Sequence, residues 1–369
     1  MRNLLILLAV LYLGSCRSEH GGQKPVRESF SFYAGTYTDS GSRGIYKLLL
    51  HDDGTLEMTG LATEVENPSF LAMENSRRFL VSVNEISPGG IVESYLIRGD
   101  SLLLISRSPS GGDHPCFVTV NEKGYVLTAN YTGGTVGLLK IDEKGKLSNI
   151  LDVMKHAGKG THERQDGPHA HSAWFIPGTD TVITVDLGTN ELWFSVIDTI
   201  QNVFQPHPFE ILDMEPGAGP RHLAFHPHKD WTYIINELNS TITMIKSNSG
   251  GEYIIDSSYS TLPDDYHGPN YCADIHITSD GKILYASNRG HNSLSVFTID
   301  PGSGKLNLIY NQNVCGDWPR NFQISPDEKY LVVANQYSNN MVSFRIEQSG
   351  RNLEPVDTIK INAPVCILF

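Results

Sequence analysis

The chain has 369 residues, of which 40% are hydrophobic and 19% charged, with 34 glycines, 19 prolines and a formal net charge of −13. Such a composition belongs to an ordered, turn-rich globular protein and excludes extensive disorder. The negative charge is spread along the chain and not gathered in blocks, so no nucleic-acid partner is expected.

The N-terminus reads as an export signal. Arg2 supplies a positive start, residues 4–13 form an apolar stretch too short for a permanent membrane span, and Leu13-Gly14-Ser15-Cys16 brings small residues before a cysteine. This resembles a bacterial lipobox, which implies cleavage before Cys16 and lipidation of its sulfur, the lipid being the only contact with a membrane. The expectation is an exported lipoprotein of the bacterial cell envelope, periplasmic or surface-exposed. Residues 1–16 are then the signal, 17–29 a polar tether with Gly21, Gly22 and Pro25, and 30–369 the folded domain.

From there one phrase recurs: an apolar run often opened by proline, a polar turn, and a second β run closed by a polar residue. Copies lie at 68–85, 115–131, 169–186, 220–237, 272–289 and 319–336. A third run such as Ser293-Leu294-Ser295-Val296-Phe297 follows, then a fourth beyond a glycine turn. Four strands in roughly 50 residues make a propeller blade. The seventh copy is split. Phe32-Tyr33-Ala34-Gly35-Thr36 matches the second strand, and its first strand comes only at the end, as Pro364-Val365-Cys366-Ile367-Leu368. The sequence therefore predicts an all-β, seven-bladed β-propeller of four-stranded blades, with the first blade closed by the C-terminal strand.

In an antiparallel hairpin the start of one strand lies beside the end of the next, so these positions of all blades should surround one mouth. The starts offer His114, His169, His171, Arg221, His222, Asp274, His276 and Arg320; the ends offer Glu85, Tyr131, Asp186, Glu237, Arg289 and Gln336. Such a concave polar ring is the candidate active site. Asn84, Asn130, Asn236, Asn288 and Asn335 recur in nearly every blade and read as backbone caps. Arg221, Arg289 and Arg320 fall in successive blades, where three guanidiniums repel one another unless an anion lies between them. That anion is either a ligand or the chain's own Glu237 and Asp274. Glu237 and His171 are the candidates for proton transfer, with structural pairing as the alternative.

The remaining histidines, among them His156, His162, His207 and His291, lack the spacing of a metal site. No metal and no cofactor are expected. No phosphate loop, nucleophile elbow or dinucleotide fingerprint stands in strand-turn-helix context, which sets aside kinases, serine hydrolases and dehydrogenases. Cys116, Cys272, Cys315 and Cys366 form no CxxC pair, and most of them read as small buried residues. Export would permit one disulfide, and Cys272 with Cys315 is the pair to inspect.

The segments Gly167-Pro168-His169-Ala170-His171-Ser172, Asp186-Leu187-Gly188, Gly219-Pro220-Arg221-His222-Leu223, Asn236-Glu237-Leu238, Asn288-Arg289-Gly290 and Pro319-Arg320-Asn321-Phe322, taken in order, resemble the seven-bladed propeller lactonases. That family includes bacterial 6-phosphogluconolactonases and fungal carboxymuconate cyclases. In the cyclase branch a His, two Arg and a Glu form the proposed site, and the matching positions are His171, Arg221, Glu237 and Arg289. The resemblance implies a metal-free lactone hydrolase in which Glu237 or His171 deprotonates water. Arg221, Arg289 and Arg320, with His169 and His222, would bind an anionic small-molecule lactone and steady the oxyanion. A carboxymuconate-type cycloisomerase and a non-catalytic propeller binding a sugar acid or a protein are the alternatives. The natural lactone and the oligomeric state stay open.

Overall fold

A computed structural model describes residues 29–248 and 250–369. The signal sequence, its lipidation site Cys16 and nearly all of the proposed tether lie outside the described residues. Ser29, the last tether position, already belongs to the first strand, Ser29–Thr36.

The described chain forms seven four-stranded antiparallel sheets. Numbered by the order of their second strands, the blades begin with the inner strands Pro364–Leu368, Leu71–Met73, Pro115–Val120, Ala170–Phe175, Pro220–Phe225, Tyr271–Ile277 and Pro319–Ile324. In blade 1 the inner strand comes from the C-terminus and pairs Leu368 with Tyr33 and Cys366 with Gly35. The split seventh copy of the repeat is thus this blade, and the two ends of the chain close the ring.

Adjacent blades bury apolar side chains against each other. Tyr233, Ile235 and Met244 of blade 5 form one fully buried cluster with Leu284, Ala286 and Phe297 of blade 6. Each such side chain contributes roughly 1.5–3 kcal/mol. A buried phenol still needs a hydrogen-bond partner, and four second-strand tyrosines find one in a turn of the next blade. Tyr125 donates to Asn202 Oδ1 at 2.6 Å, Tyr233 to the Gly304 carbonyl at 2.7 Å and Tyr285 to the Gly350 carbonyl at 2.7 Å. Tyr330 of blade 7 donates to the Asp52 carbonyl of blade 1 at 2.9 Å, so the same device spans the closure.

Two backbone features aim side chains at the central mouth. The first is a β-bulge near the start of the inner strand, found in six blades, which leaves Val365, Cys116, His171, Arg221, the Ala273-Asp274 pair and Arg320 outside the ladder. Bulges re-aim side chains, and here they deliver three of the sequence candidates. The second is the residue just after the second strand. The N–H of Tyr37, Glu85, Tyr131, Leu187, Glu237 and Gln336 each bonds the carbonyl just ahead of its own inner strand, at Ala363, Asn67, His114, His169, Gly219 and Trp318. Five of those six acceptors have positive φ, the conformation that turns the chain sharply into the inner strand. At Gly219, with φ of 63°, a Cβ would lie 2.4 Å from Leu238, so glycine is required there.

Three of the five asparagines cap backbone as expected, Asn130, Asn288 and Asn335 bonding the carbonyls of Ser110, Thr261 and Val314. Asn130 also bonds Thr135, and Asn288 bonds Ser293 and Ser295. Asn236 bonds only the side-chain hydroxyls of Thr241 and Thr243, and Asn84 Oδ1 has no partner among the described residues. The proposed disulfide is absent. All four described cysteines are free, Cys272 being buried and Cys315 exposed. Cys116, Cys272 and Cys366 are buried, in line with the expectation for most of the four.

Candidate active site

The mouth holds a cavity of about 230 Å³ lined by Tyr37, Glu85, Cys116, Tyr131, Arg164, His171, Glu237, Arg289 and Arg320. A larger hollow of about 450 Å³ lies at the far rim, around the turns between inner and second strands. Its ionisable lining is Glu122 with the solvent-exposed pair of Lys123 and Asp180, and no histidine or arginine joins them. The mouth is the site with chemistry.

Glu237 is its electrostatic centre. The side chain is 3% exposed, and its Oε1 accepts from Arg164 Nη1 at 2.6 Å while Oε2 lies 2.8 Å from Arg289 Nη2. Arg221 Nε is 3.1 Å from Oε2 but misaligned for a hydrogen bond, so this contact acts through charge alone. Burial disfavours the carboxylate, yet Arg289, Arg221 and Arg164 outweigh it and hold the carboxyl down at about 2. Arg221 carries the opposite consequence. Desolvation, then the nearby Arg289 and Arg320 guanidiniums, bring it down to about 9 against the opposing pull of Glu237 and Asp274.

The alternatives left open for the three successive arginines thus separate. For Arg221 and Arg289 the neighbouring anion is the chain's own Glu237. Arg289 is further fixed by the Tyr271 and Cys272 carbonyls and lies over the Trp318 ring at 5.3 Å. Arg320 has no carboxylate within ion-pair distance among the described residues. It donates to Tyr37 Oη at 2.7 Å, and Tyr37 in turn donates to Glu85 Oε2 at 2.8 Å. Burial, and then the Glu85 carboxylate against the pull of Arg320, push the Tyr37 phenol well above 10, so it stays protonated.

His171 faces the cavity, with Nε2 4.0 Å from Glu237 Oε2 and Nδ1 3.7 Å from Cys116 Sγ. Burial, then Arg221, His222 and Arg320, hold its imidazole well below 6.5 and therefore neutral.

Several sequence candidates stand apart from the cavity. His222 is buried beneath it, bonded to Asp274 Oδ1 at 2.9 Å and packed edge-on against Phe117, because the bulge turns Arg221 to the mouth and its successor into the channel. Asp274 is thereby occupied by His222, His276 and Asn321 and not by Arg221. His169 precedes its inner strand, stacks on Tyr131 at 4.5 Å and bonds the Tyr131 carbonyl and Asp166. Asp186 is likewise withdrawn, buried against His156 at 2.7 Å. His114 turns outward to Thr132.

Three cavity residues were absent from the sequence list. Tyr37 and Cys116 occupy the post-strand and bulge positions of their blades, so the repeat contains a signal for both. Arg164 sits in the loop 156–168, outside the repeat, and lines the cavity beside a blade 4 whose post-strand position is the buried Leu187.

A seven-bladed propeller with arginines and a carboxylate around its central mouth is the class that the fold and site define. The chain matches the family described as "Lactonase, 7-bladed beta-propeller" over residues 31–369 and belongs to it. It is 36% identical over 344 residues to the 6-phosphogluconolactonase of Bacillus subtilis, covering 91% of this chain and 97% of that one. It is 33% identical over 327 residues to the 6-phosphogluconolactonase of Formosa agariphila, covering 85% and 91%. A solved periplasmic gluconolactonase of Pseudomonas aeruginosa superposes with a TM-score of 0.88 at 26% identity, covering 92% of this chain and 98% of that one.

Proposed function

We propose that the protein hydrolyses a sugar lactone bearing an anionic group, with 6-phosphogluconolactone as the reference substrate. One observation carries this reading: Arg164, Arg289 and Arg320 line the cavity with the carboxylates Glu85 and Glu237, and Arg221 adds a fourth guanidinium 3.1 Å from Glu237, so the buried mouth holds surplus positive charge. Desolvated guanidiniums require anions, and Arg320 has none in contact.

In this reading Arg320 and the outer edges of Arg164 and Arg289 bind the anionic group and polarise the lactone carbonyl. Glu237 organises these arginines; a carboxylate held near 2 by three cations is a poor base. His171 is neutral and takes the proton as the water oxygen bonds the carbonyl carbon. The ring C–O bond then breaks, and the ring oxygen recovers a proton from the imidazolium. The acid product ionises and releases one proton to solvent. Anion binding near Arg320 would cancel part of the field that depresses His171 and so strengthen the base when substrate is bound.

The two relatives named 6-phosphogluconolactonase support this reading over a cycloisomerase. The test is base uptake at constant pH by the full chain in detergent, with 6-phosphogluconolactone and unphosphorylated gluconolactone against their spontaneous hydrolysis. Enzyme-dependent acid release is expected; no acceleration with either lactone would remove the proposal. Placement in the cell envelope through Cys16 is proposed on the lipobox alone and is checked by metabolic labelling with a fatty acid, which Cys16→Ser should abolish.

A further inference from the structure

Glu85 is a second carboxylate in the cavity, and the reaction above does not use it. It follows the second strand of blade 2, while Glu237 and Arg289 stand on blades 5 and 6, each three blades away in a ring of seven. The two carboxylates therefore face each other across the mouth. Their surroundings differ. Both oxygens of Glu237 are consumed by arginines, whereas only Oε2 of Glu85 is bonded, by Tyr37. Oε1 of Glu85 has no partner among the described residues, and the Glu85 side chain lines the cavity. Tyr37 is held between Arg320 and Glu85, with Arg320 over its ring at 5.3 Å, so the carboxylate is fixed in place.

A fixed carboxylate oxygen bordering a small polar cavity accepts hydrogen bonds and repels anions. We propose that Glu85 is a specificity-determining residue: it accepts hydrogen bonds from the hydroxyls of the ligand and excludes a second negative charge at that end. The mouth is then bipartite. An arginine wall of Arg289 and Arg320 on blades 6 and 7, with Arg164 from its loop, takes the anionic end, and Glu85 takes the polyol end. This selects a polyhydroxylated ligand charged at one end only, such as a phosphorylated sugar lactone or an unphosphorylated sugar acid, and rejects a dicarboxylic acid with charge at both ends. The inference rests on the reading above for the substrate's anionic end, but not on turnover.

The experiment is calorimetric binding to the full chain in detergent, with gluconate, hexanoate and adipate as probes. These carry six carbons with five hydroxyls and one carboxylate, no hydroxyls and one carboxylate, and two terminal carboxylates. Wild type should bind gluconate roughly 10- to 100-fold more tightly than hexanoate. Glu85→Ala should remove most of that ratio, and Glu85→Gln, which keeps one acceptor oxygen, should retain part of it. Glu85→Gln should also bind adipate more tightly than wild type does, a gain that loss of a purely structural contact would not produce. Parallel weakening of all three probes, or no preference for gluconate in wild type, overturns the proposal. Absence of lactone turnover with these preferences intact would overturn the hydrolase reading and leave the Glu85 assignment standing.

Discussion

Arg164 reaches Glu237 at 2.6 Å from a loop that belongs to no blade, while Glu237 itself stands at the end of a blade 5 strand. One carboxylate thus ties a loop, its own blade and blade 6 together. Removing its charge leaves three guanidiniums facing one another with no anion, and a broken buried pair costs about 3–5 kcal/mol. Glu237→Gln should destabilise the fold by about that amount at pH 7 in urea unfolding. The pH dependence has a definite sign. The folded carboxyl lies at about 2 against an ordinary 4.5, so its contribution is complete above 4.5 and is lost as pH falls toward 2. The gap between wild type and variant should therefore close across that window; a gap that stays constant would place the stabilisation elsewhere.

His171 is the second quantity open to measurement. Its imidazole is held well below 6.5 by burial and by Arg221, His222 and Arg320. If it is the base, His171→Ala should lower kcat by roughly two to four orders of magnitude. The acid limb of kcat/KM, which reports the free enzyme, should fall below 6.5, and the limb of kcat should lie higher because bound anion offsets the arginines. Coincident limbs would show that the substrate does not touch the field around His171.

Arg164 depends on its loop, and the loop depends on Gln165. The Gln165 side chain is buried; its Nε2 donates to the Leu187 carbonyl at 2.8 Å and to Asn190 at 3.0 Å, while its Oε1 accepts from the N–H groups of Thr161 and His162. Gln165→Ala strands those groups and loosens the loop that delivers Arg164, whose half-exposed side chain then bears on Glu237 and Tyr131 from an unanchored backbone. The expected result is a roughly tenfold rise in KM for an anionic lactone with a much smaller change in kcat, shared by Arg164→Ala. A loss confined to kcat would instead make the loop part of the chemical step.

The propeller was legible because its signal is periodic. The phrase repeats at nearly constant spacing, and the mismatch between its two halves at the termini has only one geometric resolution. Most of the mouth was legible for the same reason, since the end of one strand must adjoin the start of the next. Two things were not. The bulge that sends Arg221 to the mouth and His222 into the channel is a one-residue shift, and adjacent polar residues such as Arg221-His222 give no periodic clue to which points where. Arg164 lies outside the repeat, where no phase exists to place it.

The C-terminal strand offers the most direct test of ring closure. Pro364–Leu368 supplies the inner strand of blade 1, and Ile367 and Phe369 are buried with Phe32, Ala34 and Leu48, while Cys366 packs with Tyr33 and Leu71 of blade 2. Deleting residues 364–369 strips those contacts and exposes the ladder edge of Ser29–Thr36. Each buried apolar side chain lost costs roughly 1.5–3 kcal/mol, against a total stability of about 5–15 kcal/mol for a typical domain. The bare edge is also a template for pairing between chains. The truncated chain should therefore lose its cooperative thermal transition and aggregate, whereas Cys315→Ser, at an exposed thiol, should leave Tm within a few degrees. A truncated chain that melts cooperatively near the wild-type Tm would mean that the six remaining blades close without their seventh inner strand.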